Sequence, residues 1–119
     1  METAKKLEKE KKIWQDKVTL NPGDIVIKEF NCENYGMIEE GKYDFIGTAK
    51  NYGVSVTLKI NRDEKPANLA GGKTNLNTED YANLSIPFKR KDTISIILDN
   101  SATADVIEIL YSLRGYILR

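Results

Sequence analysis

The two most apolar runs of this chain sit close together in its last third, Thr93-Ile94-Ser95-Ile96-Ile97-Leu98 and Val106 to Leu113, joined by the polar link Asp99 to Asp105. Short runs rich in β-branched residues and bounded by turn formers are strands. The pattern from Asp92 to Arg119 therefore predicts a long β-hairpin that closes the domain. In its second strand Ile107, Ile109, Tyr111 and Leu113 share one face, and Val106, Glu108, Leu110, Ser112 and Arg114 share the other. That second face is half apolar, so it needs a cover: the N-terminal segment, a loop, or another subunit. Leu110 and Arg114 are accordingly candidate interface residues.

Upstream, Ile25 to Phe30 reads as a first strand with mixed faces. The stretch from Lys42 to Ala49 and the strict alternation Val54, Val56, Leu58, Ile60 read as a second hairpin around Lys50-Asn51-Tyr52-Gly53. Leu84, Ile86 and Phe88 alternate with Ser85 and Pro87. The proline places that strand at a sheet edge, where a missing donor is harmless. Lys89 to Asp92 is a charged turn. Alternation with one wet face is the mark of antiparallel sheets. With about six to eight short strands and no βαβ alternation, the expected fold is all-β: an antiparallel β-sandwich of jelly-roll or related Greek-key type.

Thr3 to Lys17 is made of helix formers with neither Gly nor Pro, and predicts a helix. Ala4, Leu7, Trp14 and Val18 fall at heptad spacing with Lys11 interrupting them, a narrow seam suited to packing on a neighbour. Asn21-Pro22-Gly23-Asp24 is a turn signal. The expected organisation is thus a helical arm, residues 1–20, and a β-sandwich domain, residues 21–119. Leu7, Trp14 and Val18 are its candidate interface residues.

Chemistry is sparse. The chain has 119 residues, one cysteine and no histidine, and Lys+Arg balance Asp+Glu at 18 each. A balanced charge provides no field for nucleic acid or an anionic membrane, and no run approaches the roughly 20 apolar residues that span a bilayer. Cys32 has no partner for an intramolecular disulfide, and charged residues follow Met1, so synthesis and folding in a cytosol are expected. Without imidazole or a thiolate cluster there is no zinc, copper or haem site, and the commonest general base is missing. Gly71-Gly72-Lys73-Thr74 lacks the upstream glycine of a phosphate loop. Asp99, Asn100 and Asp105 offer oxygens around one turn but no calcium-loop spacing. No catalytic, cofactor or metal residues are expected, and the chain reads as a non-enzyme. Tyr35, Tyr52 and Tyr81 fall in loops, and Asn61 to Asn83 is a long polar connection of the kind that often makes contacts. Together they offer an alternative reading as a carbohydrate- or protein-binding module.

Thr93 to Ser101, Val106 to Leu113 and then Arg114-Gly115-Tyr116 resemble the closing hairpin of small β-sandwich virion proteins of tailed bacteriophages. The resemblance covers residues 92–119 and implies a structural or assembly protein of a particle: a minor head, decoration or tail component. It also implies a homo-oligomer, a trimer being expected, contacts with other virion proteins, and location in the virion. No site residue carries over from it.

Overall fold

The computed structural model describes residues 8–47, 50–61 and 73–119. Among these there are eight strands and no helix: β1 (Lys9–Leu20), β2 (Ile25–Asn31), β3 (Gly36–Phe45), β4 (Ser55–Asn61), β5 (Lys73–Asn75), β6 (Ala82–Phe88), β7 (Thr93–Asp99) and β8 (Ile107–Leu118). They form two four-stranded sheets, in the orders β1-β8-β3-β6 and β2-β7-β4-β5. Every neighbouring pair of strands is antiparallel.

The expected helical arm is overturned. Lys9 to Leu20 pairs residue for residue with β8, from Lys9 opposite Leu118 to Leu20 opposite Ile107. Helix propensity is a weak prior of a few tenths of a kcal/mol per residue, and a full ladder plus burial of Val18 and Leu20 outweighs it. Leu7 lies outside the described residues.

Both expected hairpins are overturned as well. The strands exist, but β7 and β8 lie in different sheets, as do β3 and β4. Among sequence neighbours only β4 and β5 pair directly. Every connection except the one between β4 and β5 carries the chain from one sheet to the other, so the apolar runs of β7 and β8 face one another across the core instead of lying side by side.

The core is drawn from both sheets. Ile94, Ile96 and Leu98 of β7 and Ile107, Ile109 and Leu113 of β8 are fully buried, and Val56, Leu58 and Ile60 of β4 join them. The alternation read along β4 and β8 is therefore the inward face of each. Burying one such side chain is worth about 1.5–3 kcal/mol before ordering costs, so β8, which buries Ile107, Ile109, Tyr111, Leu113 and Ile117, contributes more than any other strand. Leu84, Ile86 and Phe88 of β6 turn inward too, and β6 is an edge strand as Pro87 implied. Both ladders of β3 slip between Ile38 and Glu40, a bulge at Glu39.

The turns follow their chemistry. Gly23 adopts φ +85° between Asn21 and Asp24, where the Asp24 amide donates to the Asn21 carbonyl at 3.0 Å and the Asn21 amide to Asp24 Oδ2 at 2.9 Å. At the charged turn the Lys89 amide donates to Asp92 Oδ2 at 2.8 Å.

Candidate functional site

The side of the molecule where β1 and β2 end their sheets is the candidate site. Among the described residues each strand has a neighbour on one side alone, and the two edges flank a shallow cleft of ≈ 400 Å³ lined by Ile13, Trp14, Asp16, Lys28, Phe30 and Tyr111. Trp14 of β1 stacks on Phe30 of β2 with ring centroids 6.2 Å apart and meets Phe88 edge-on at 5.9 Å. Lys28 reaches Asp16 at 3.7 Å across the opening. Both ends of that ion pair are about half exposed, so it is worth at most about 1 kcal/mol.

An unpaired edge is a template for another strand unless something blunts it. Three of the four edges are blunted. β1 carries Lys9, Lys11, Lys12 and Lys17; β5 is three residues long; β6 contains Pro87 and a positive φ at Ser85. The remaining edge, β2, is seven residues long with an unbroken register against β7. Its outer face presents Ile25 at 56% exposure and Ile27 at 55%, with Ile97 of β7 directly opposite Ile27. Lys28 turns toward the cleft, so from Ile25 to Ile27 the outer face of β2 shows apolar side chains beside an open backbone, with Glu29 and Asn31 following on the same face.

The residues singled out from sequence fall elsewhere. Val18 is buried in the core, and Trp14 faces inward against Phe30 and Phe88, so neither is an outward anchor on an arm. Leu110 is half-buried on the outer face of β8. Arg114 is exposed on that face, 3.8 Å from Glu40 and packed over the Tyr81 ring at 3.6 Å, with Lys42 over the same ring at 4.9 Å. The outer face of β8 is thus partly covered by ionic side chains of its own sheet. Tyr35 immediately precedes β3, a ten-residue strand about 30 Å long, and Tyr52 packs on Phe45 at its far end. Tyr81 lies on the sheet between them with Arg114. The three do not converge on one platform. Tyr52 stacks edge-on to Phe45 at 5.5 Å, and Phe45 to Tyr43 at 5.7 Å. Of the connection from Asn61 to Asn83, residues 62–72 lie outside the described residues. Residues beyond it are pinned, since the Tyr43 amide donates to Asn77 O at 3.0 Å and the Glu79 amide to Tyr43 O at 3.0 Å.

Ile13, Ile25, Ile27 and Lys28 were not singled out from sequence. The available signal was Asp24-Ile25-Val26-Ile27-Lys28, a strand whose outward positions are apolar.

The link between β7 and β8 is a hydrogen-bonded clamp. Asp99 Oδ1 accepts from the Ser101 hydroxyl and amide, which holds its carboxyl below the usual range. A depressed carboxylate contributes stability that is present above its unfolded pKa near 3.8 and lost as pH falls through the folded value. D99N should therefore lower the urea midpoint more at pH 7 than in strong acid. Equal losses at both pH values would assign the effect to packing instead. Burial raises the phenols of Tyr43 and Tyr111, with further contributions from Tyr52 and Asp16 respectively. Among the described residues no three Asp, Glu or Cys side chains group as metal ligands, and no helix is long and apolar enough to cross a membrane.

No family model and no curated protein matches the chain. One solved structure, from work on Bacillus endospore appendages that describes them as a novel family of disulfide-linked pili, aligns over 92% of this chain and 92% of its own. The identity is 19% and the TM-score 0.41, a likeness too loose to assign fold or role.

Proposed function

We propose that this protein is a non-enzymatic structural subunit that works by associating with copies of itself. The strand orders β1-β8-β3-β6 and β2-β7-β4-β5 are read here as the two sheets of a jelly-roll sandwich, an architecture used by capsid and lectin domains alike. Architecture alone does not choose between such roles. The observation that carries the proposal is the unblunted β2 edge, where Ile25 and Ile27 stand more than half exposed beside Ile97. A soluble domain seldom leaves an apolar edge of that kind uncovered. A virion component is the narrower setting suggested by residues 92–119. The comparisons lend it no support, and the proposal stands for a structural subunit in general.

Sedimentation equilibrium over a wide concentration range tests the proposal. The expected result is reversible association that is abolished in I25K/I27K, with the melting temperature of the variant close to that of the parent. A parent chain that stays monomeric up to its solubility limit would overturn it.

A further inference from the structure

Exposure alone does not account for the order of residues in β2. Asp24-Ile25-Val26-Ile27-Lys28 runs acid, three apolar residues, base, and so complements itself when laid antiparallel. Resting on the self-association proposed above, we infer that β2 pairs with β2 of a second copy about a two-fold axis passing beside Val26.

The backbone is available for this. At the two ends of the β2–β7 ladder the Asn100 amide donates to Asp24 O at 2.8 Å and the Cys32 amide to Asp92 O at 2.8 Å. Hydrogen-bonding direction alternates along an antiparallel strand, so with an unbroken register Val26, Lys28 and Phe30 turn their backbone groups to β7. Ile25, Ile27 and Glu29 turn theirs to the open edge.

Two-fold pairing sets outward side chains opposite outward ones, which leaves three central registers. With Lys28 on the axis, the two lysines face each other and Ile27 meets Glu29. With Ile27 on the axis, Ile25 meets Glu29 and Val26 meets Lys28. With Val26 on the axis, Ile25 meets Ile27 twice, Val26 meets Val26, and Asp24 meets Lys28 twice. Directly opposed apolar and opposite-charge pairs stabilise a ladder, and like charges weaken it, so the Val26 register is selected. Asp24 uses Oδ2 on the Asn21 amide, leaving its other oxygen to face the new lysine. Lys28 already points across the cleft to Asp16 and can be shared between the two carboxylates. The product is one continuous sheet, β5-β4-β7-β2 followed by its symmetry mate. An isologous contact of this type closes on itself, giving a dimer rather than the trimer expected from sequence.

Cysteine cross-linking and charge exchange test the register. Val26 and its mate form a pair without mutual backbone bonds, with Cβ atoms about 4.5–5.5 Å apart, close enough for a disulfide after small adjustment. V26C should give a reducible dimer under mild oxidation, and K28C should not. K28E alone and D24K alone should each weaken association about tenfold, while an equimolar mixture of the two should restore it. Circular dichroism melts of each variant establish that it is folded. If the parent chain dimerises but V26C fails to cross-link and mixing restores nothing, the β2 register is overturned and self-association survives. A monomeric parent overturns both.

Discussion

Replacing Asn100 with Asp is expected to remove about 4 kcal/mol of stability at neutral pH, and to lower the melting temperature by on the order of 15 °C in a domain of this size. Asn100 is fully buried at the start of the link between β7 and β8. The two hydrogens of its Nδ2 serve three carbonyls, one of them shared: Asp105 at 2.8 Å, Asn21 at 3.1 Å and Leu20 at 3.3 Å. Its Oδ1 accepts from the Thr103 hydroxyl. Its backbone is engaged as well, the Gly23 amide donating to its carbonyl at 3.1 Å. One side chain thus ties the end of β1, the β1–β2 turn and the entry to β8. A carboxylate there would aim negative charge at three acceptors in a site without water access, and its pKa would rise. A group whose folded pKa lies above its unfolded value costs nothing below about pH 4, and its penalty grows as pH rises through the folded value. N100D should therefore be least destabilised in acid and most at neutral pH. N100A, which strips the donors without adding charge, should lose about 3 kcal/mol with no such pH dependence. Urea titrations of the two variants at pH 3.5 and 7.5 check this, and parallel losses at both pH values would remove the charge argument.

Asn100 also shows what was legible in the sequence and what was not. An Asn flanked by Asp99 and Ser101 reads as an ordinary turn residue, because two of the three carbonyls it satisfies are 79 and 80 positions away. Local pattern named most strands correctly: the inward alternation of Val54 to Ile60, the inward face of β8, and the edge position of β6 from Pro87. Pairing was not legible. The links after β3 and β7 carry turn residues whether the chain doubles back beside itself or crosses to the opposite sheet, and those alternatives differ only in non-local contacts. β1 failed for another reason. Lys9 to Lys17 has the composition of a solvated helix, yet the same lysines suit an edge strand that must resist pairing with others. Once β1 is seen as an edge, its partner in exposure is β2, and the candidate site follows from comparing edges, which requires the sheet orders first.

The second large effect is expected at Gly115, where β8 passes the bulge in β3. Gly115 lies opposite Ile38, one position from the slip between Ile38 and Glu40. A Cβ built on Gly115 runs into the Met37 carbonyl oxygen, and lies 2.9 Å from the Met37 carbonyl carbon and 3.0 Å from Ile38 Cα. Those are backbone atoms of a strand held on both sides, by β8 and by β6, so no side-chain rotation can make room. Overpacking a flexible core usually costs about 1–3 kcal/mol, and a clash with fixed backbone belongs at or above the top of that range. G115A should therefore lose about 3 kcal/mol or more, with a melting temperature lower by on the order of 10 °C. Gly47 supplies the contrast: it has φ +78° and open space around its missing Cβ. G47A should lose only about 1 kcal/mol, from backbone strain alone. Thermal melts of the two alanine variants measure the difference directly. Equal, small losses would mean that β3 can slide along β8 at the bulge, and the tight approach at Gly115 would then be incidental to the fold.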